Sequence, residues 1–206
     1  MRFTVSSSEL NSRLAIMSKI IVPNASLPIL SDFLLTIEDN KLLIRASDQE
    51  TTIVSRMDLI DADENFNFTI PAKGFYDSIK ELSEQPVRIE VDKDTMAVTI
   101  LYRNGTFNFA ATTLNSDEYP NLKPVSDVKC ELSINSETLL KGISSTLFAT
   151  GDDVLRPVMN GVVLDVTAQD VTFVATDAHK LVRLKNSKFS GKITEGNSSL
   201  LILRKK

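Results

Sequence analysis

The feature that most constrains this chain of 206 residues is a repeat. Phe3-Thr4-Val5-Ser6-Ser7-Ser8-Glu9-Leu10 reads as a short strand running straight into a helix. The same start returns at Phe68-Thr69-Ile70-Pro71-Ala72-Lys73, at Leu132-Ser133-Ile134-Asn135-Ser136-Glu137 and at Leu200-Leu201-Ile202-Leu203. The starts lie 65, 64 and 68 residues apart. An apolar stripe at helical spacing follows the first three. It runs Leu10, Leu14, Met17, Ile21 in the first unit and Phe75, Ile79, Leu82 in the second. In the third it runs Leu139/Leu140, Ile143, Leu147. Three runs rich in β-branched residues complete each unit.

One strand–helix–three-strand unit leaves an apolar sheet face open, so units must pair. The expected fold class is α+β, built from repeated β-α-β-β-β units. Helices should gather on one face and antiparallel sheets on the other. Residues 1–125 should form a first domain of two units. Residues 126–206 should form an incomplete second domain, one unit plus the start of the next. On this reading the chain is expected to end inside a domain. Residues 113–129 carry Pro120 and Pro124 and read as a linker, with Tyr119-Pro120-Asn121-Leu122 pinned against a domain surface.

Local signals place the element ends. Ser6 with Glu9 forms a capping-box pattern, and Asn135 is a good N-cap. Pro23 is expected to end the first helix and Pro71 to occupy the first position of the second. Asp39-Asn40 marks a turn. Asn104-Gly105 predicts a hairpin with a type I′ turn.

Bulk properties exclude several classes. At 42% hydrophobic and 24% charged, the chain should be soluble and globular with a true core. A net charge of −4 argues against a surface that clings to nucleic acid everywhere, but allows a basic face on an acidic body. Neither a signal segment nor a membrane-length apolar run is visible, so a cytoplasmic location is expected. Cys130 is the only cysteine and His179 the only histidine, which leaves no disulfide and no Cys- or His-rich zinc site. Asp152, Asp153, Asp177 and His179, or Asp48 with Glu50, could in principle form an acid/base or metal cluster. Asp48 and Asp177, however, occupy matching places after the middle strands of units one and three, which favours a repeated structural turn. A P-loop is absent too. No catalytic residue, cofactor or metal is therefore expected.

At this point a set of motifs carries a resemblance. They are Leu27-Pro28-Ile29-Leu30 with Leu34-Leu35, Ser47-Asp48-Gln49-Glu50, Ile70-Pro71-Ala72-Lys73 and Tyr119-Pro120-Asn121-Leu122. Arg156-Pro157-Val158-Met159-Asn160-Gly161 and Ala175-Thr176-Asp177-Ala178-His179-Lys180-Leu181 complete the set. In order and spacing the chain resembles the bacterial sliding-clamp family, the beta subunit of DNA polymerase III. The family has six such units in three domains, so this chain would cover about the first half.

The resemblance implies a non-catalytic processivity factor for DNA replication. Two full-length subunits would close as a homodimer ring around double-stranded DNA, helices inside, without reading sequence. The ring would tether the replicative polymerase and also receive the clamp loader, repair polymerases and ligase. The DNA-facing candidates are Arg13, Lys19, Lys73, Lys80 and Lys141, which lie off the apolar stripes. Ordinary solvated helix faces would look the same, and a scaffold of similar fold that never encircles DNA is the alternative reading. Family clamps often carry a basic residue just before Leu-Pro-Ile-Leu, where this chain is near Asn24.

A second implied site is a hydrophobic pocket for partner peptides, formed here by Arg156, Met159, Thr176, Ala178, His179, Lys180 and Leu181. Lys180 stands where the family usually has Arg, and Leu203 where it tends to have Pro. The rest of the pocket wall would lie in sequence after Lys206, so the 206-residue chain alone is expected to bind peptides poorly and to be monomeric or weakly associated.

Overall fold

A computed structural model describes residues 1–21, 27–48, 51–111, 119–120, 130–153, 155–167, 170–187, 190–193 and 198–203. Pro23, Asn24, Gln49, Glu50, Asn121 and Leu122 fall outside the described residues, as does nearly all of the expected linker. The chain forms two compact units, Met1–Lys123 and Pro124–Lys206.

In the first unit, β1 (Arg2–Ser6) leads into α1 (Ser7–Met17), followed by β2 (Asp32–Glu38), β3 (Lys41–Ser47), β4 (Thr52–Asp58) and a short β5 (Asp61–Ala62). The sequence then repeats as β6 (Phe66–Pro71), α2 (Ala72–Lys80), β7 (Pro86–Val91), β8 (Ala97–Tyr102) and β9 (Gly105–Ala110). Two antiparallel sheets result, ordered β5-β1-β7-β8-β9 and β4-β3-β2-β6. Each repeat lends its first strand to the other: β1 pairs with β7 and β6 with β2. This exchange is how the two open sheet faces become one core.

The helices pack on each other and press their stripes into that core. Leu10, Leu14, Met17, Phe75 and Ile79 are all 0% exposed. Full burial of side chains this size is worth about 1.5–3 kcal/mol each. Phe3, Phe66 and Phe68 add a ring cluster with centroids 5.8–6.4 Å apart.

The second unit runs β10 (Cys130–Ser133), α3 (Ser136–Thr146), β11 (Gly161–Val166), β12 (Val171–Thr176), β13 (Leu181–Asn186), β14 (Ser190–Ile193) and β15 (Ser198–Leu203). Its larger sheet is ordered β13-β12-β11-β15, and β10 pairs with β14. β15 takes the place on β11 that β6 takes on β2. Leu203 lies opposite Gly161 as Pro71 lies opposite Asp32. The repeat thus carries a closing strand that the sequence pattern did not signal. β5 returns to β1, and β14 returns to β10.

Several element ends differ from expectation. α1 stops at Met17, well before Pro23. Ser18 Oγ donates to Ala15 O at 3.2 Å, and the Lys19 and Ile20 amides bond three residues back. The tightened turn carries Ile20 into the core, 5% exposed. Pro71 is the N-cap residue of α2, one place before the first helical position, because it still pairs with Asp32 in β6. The β8–β9 turn is Arg103-Asn104, since Tyr102 pairs directly with Gly105. Neither turn residue has positive φ. A Cβ on Gly105 would meet the Tyr102 hydroxyl at 2.9 Å, so a larger residue there would push the Tyr102 ring aside. The two-residue turn with both φ values positive is Asp39-Asn40, at 49° and 56°.

Leu139 and Ile143 of α3 and its C-cap Leu147 pack inward, while Leu140 is 69% exposed. Gly142 takes the buried place, because the Phe173 ring presses there and a Cβ would sit 2.3 Å from it. Tyr119 is 1% exposed, and its hydroxyl lies 3.3 Å from Asp32 O and 3.4 Å from Arg45 O. Burial pushes its pKa up to about 12. No helix among the described residues is long and apolar enough to cross a membrane.

Candidate functional site

Two groups of residues come forward from the fold. The first is the set of cations on and beside the helices. Ser6 caps α1 by accepting from Glu9 N at 3.4 Å. The Glu9 side chain does not return the bond; it reaches Arg13, 3.3 Å away. Arg13 is half-buried beside that partner. Lys19 is exposed one residue past the C-cap of α1, where the helix dipole favours a cation. On α2, Lys80 pairs with Asp77 at 2.8 Å and lies 6.0 Å from the centre of the Tyr76 ring. The bond to Asp77 raises the Lys80 pKa and lowers that of Asp77. Lys73 is exposed as the second residue of α2, and Lys141 is exposed on α3 in the other unit. Lys19, Lys73 and Lys141 make no ion pair among the described residues, whereas Arg13 and Lys80 are already matched by acids on their own helices.

The second group lies on two loops of the second unit. The segment 176–181 joins β12 to β13 and is built around its own polar side chains. Thr176 Oγ1 donates to Lys180 O at 2.8 Å and accepts from Ala178 N at 3.1 Å. Asp177 Oδ1 accepts from His179 N at 3.0 Å and Lys180 N at 2.8 Å, while its Oδ2 receives the Lys180 ammonium. The Lys180 bond, followed by those amides, holds the Asp177 carboxyl far below the usual carboxylate range. The turn forces Ala178 to φ 74°, in the left-handed region that favours glycine. Leu181 opens β13 at 66% exposed, and Ala178, His179 and Lys180 are exposed before it.

The other loop runs from Gly151 to Asn160. Pro157 starts a single 3₁₀ turn that ends at Met159. Arg156 Nε donates to Asp153 Oδ2 at 2.7 Å, which lowers the Asp153 pKa. Asn160 fixes the same residue, accepting from Asp153 N at 3.0 Å and donating to Asp153 O at 3.2 Å.

Gly151 joins the loops. Its amide donates to Met159 O at 2.8 Å. A Cβ on Gly151 would sit 3.6 Å from the Cβ of Met159 and 3.6 Å from that of Asp177. The half-buried Met159 is thereby held beside the 176–181 turn. Motif reading had paired these two segments without the glycine that connects them. The same loop exposes Leu155 and Val158, at 90% and 62%; the motif contains Val158 and stops short of Leu155. Their signal was apolar residues inside an otherwise polar, proline-containing stretch.

What the arrangement can do is offer apolar surface bordered by fixed polar groups. Acid/base chemistry finds no support in it. Asp177 and Asp153 are consumed by backbone amides and cations. Asp48 makes the equivalent turn, accepting from Thr51 N at 2.7 Å. Among the described residues no three His, Cys, Asp or Glu side chains cluster to hold a metal ion.

Comparison with known proteins agrees with this architecture. A family model described as DNA polymerase III beta subunit, N-terminal domain, matches residues 1–123, and the one for the central domain matches residues 133–206. The Beta sliding clamp of Haemophilus influenzae is 32% identical over 183 residues, covering 88% of this chain and 48% of that protein. The chain spans about half the length of the curated relatives it matches. A crystal structure of the Helicobacter pylori beta clamp superposes with a TM-score of 0.88 at 23% identity, covering 98% of this chain and 55% of that one. Another, of the same organism's clamp bound to a DNA ligase peptide, gives 0.86 at 22% identity, covering 98% and 56%. These structures show the fold, and the family models show the lineage. The chain belongs to the DNA polymerase III beta subunit family, carrying its N-terminal domain and at least part of its central domain.

Proposed function

We propose that this protein acts as a DNA sliding clamp, a non-catalytic processivity factor that encircles duplex DNA and tethers the replicative polymerase. The observation that carries the reading is the match of two consecutive family domains, in order, to residues 1–123 and 133–206. A ring retained by topology needs little contact energy, which suits a chain of net charge −4 with only scattered cations on its helices. Lys19, Lys73 and Lys141, which make no ion pair among the described residues although Lys73 lies in the field of Asp77, are the best candidates to meet phosphates. Arg13 and Lys80 would contribute less, being already neutralised. Tethering works through effective concentration: a polymerase that releases the primer end stays near it and rebinds.

The Arg156, Met159 and 176–181 group is the proposed pocket for partner peptides, in line with the ligase peptide held by the Helicobacter pylori clamp. Polymerase, clamp loader, repair polymerases and ligase are the partner classes, with a homodimer as the assembly and the cytoplasm as its setting.

The test uses the full-length protein and its loader on a nicked circular plasmid, followed by gel filtration before and after one restriction cut. Co-migration with circles and release from linear DNA is the expected result. Equal retention on both would mean contact binding and would end the ring reading.

A further inference from the structure

The geometry points to Asn104 as a site of spontaneous covalent modification, deamidation through the Gly105 amide, whose isoaspartyl product loosens the edge strand β9. The chain contains two Asn-Gly steps, Asn104-Gly105 and Asn160-Gly161. In such a step the glycine amide nitrogen attacks Cγ of the asparagine side chain. An N–C bond closes a cyclic imide, the bond from Cγ to the side-chain nitrogen breaks, and ammonia leaves with the proton lost by the backbone. Water then opens the imide at either carbonyl, giving aspartate or isoaspartate. Glycine favours the attack because no Cβ blocks it and its backbone turns freely.

The fold treats the two steps oppositely. Asn160 is fixed at both ends of its side chain, accepting from Asp153 N at 3.0 Å and donating to Asp153 O at 3.2 Å. Its own backbone amide donates to Pro157 O at 3.0 Å, and Gly161 is buried in β11 opposite Leu203. Attack there must first break these bonds. Asn104 is exposed in the two-residue β8–β9 turn, and its side chain makes no hydrogen bond among the described residues. Its amide group is free to swing onto its own chain.

The product matters because isoaspartate routes the chain through the side-chain carbon and so adds a methylene to the backbone. This turn has no slack for it. Tyr102 pairs directly with Gly105, the Tyr102 and Phe107 rings stack at 5.1 Å, and Arg103 N donates to Gln85 Oε1 at 2.8 Å. Among the described strands β9 is held on one side only, by β8, so the added length is released there.

The full-length protein is aged in mildly alkaline buffer, digested and mapped by mass spectrometry, beside a sample aged in denaturant. In the native sample Asn104 should convert at least about ten-fold faster than Asn160, since only Asn160 must open first. In denaturant the two rates should come within about three-fold of each other. The isoaspartyl form, separated by its added negative charge, should exchange its β9 amide hydrogens about ten-fold faster than the unaged protein. An equally aged Asn104→Gln variant, whose longer side chain cyclises far more slowly, should keep the unaged exchange. Native Asn160 converting as fast as Asn104, or Asn104 converting in denaturant only, would overturn the inference. So would β9 exchange that is the same before and after conversion.

Discussion

Ala178 and Gly142 show opposite mismatches between a residue and its place. Ala178 carries a Cβ at φ 74°, where left-handed backbone costs an L-residue about 1–2 kcal/mol. Ala178→Gly should raise stability by about 1 kcal/mol in denaturant unfolding. Gly142 faces the reverse problem, since the Phe173 ring fills its Cβ space. Gly142→Ala should lower stability by about 1–3 kcal/mol in the same assay. Tyr119 offers a pH test. Its folded pKa, about 12, lies above the ordinary tyrosine value of about 10, so the fold favours the neutral phenol. That contribution is complete below pH ~10 and is lost as pH rises through 12. The native protein should lose stability across this window, and Tyr119→Phe should lack that part of the slope. An identical slope in the variant would refute the assignment.

Among elements, the helix starts were the most legible. Ser6 and Asn135 both cap as their residue types suggest, because an N-cap depends only on neighbours two or three places on. Asn135 accepts from Glu137 N at 2.8 Å, a tighter bond than the 3.4 Å at Ser6. Asn135→Ala should therefore cost more than Ser6→Ala, with about 1 kcal/mol typical for such a loss. Thermal unfolding of both variants decides the order. Hairpin registers were less legible. Asn104-Gly105 carried the strongest local turn signal, yet the Tyr102–Phe107 ring stack at 5.1 Å fixes a register one residue earlier. Cross-strand packing outweighed a two-residue preference there.

For the whole molecule, the proposed ring separates charges that act from charges already spent. Reversing Lys19, Lys73 and Lys141 together to Glu should sharply reduce loader-dependent retention on circular DNA. Reversing Arg13 and Lys80 should reduce it less, since Glu9 and Asp77 already neutralise them. Equal losses from the two sets would contradict this division. The proposed pocket was legible only in part. Both of its segments stood out as motifs, but the contact between them runs through Gly151, whose role depends on two loops meeting in space.

The sequence by itself determined the repeating unit, the strand–helix order, the inward stripes Leu10-Leu14-Met17 and Phe75-Ile79, and the capping residues. All of these follow from periodicity or from groups a few residues apart. Only the tertiary structure decided that β5 and β14 return to close on β1 and β10, that Leu140 turns outward while Gly142 sits under Phe173, and that Met159 meets the 176–181 turn. Each of those depends on partners brought together across many intervening residues, and no short-range preference encodes such a meeting.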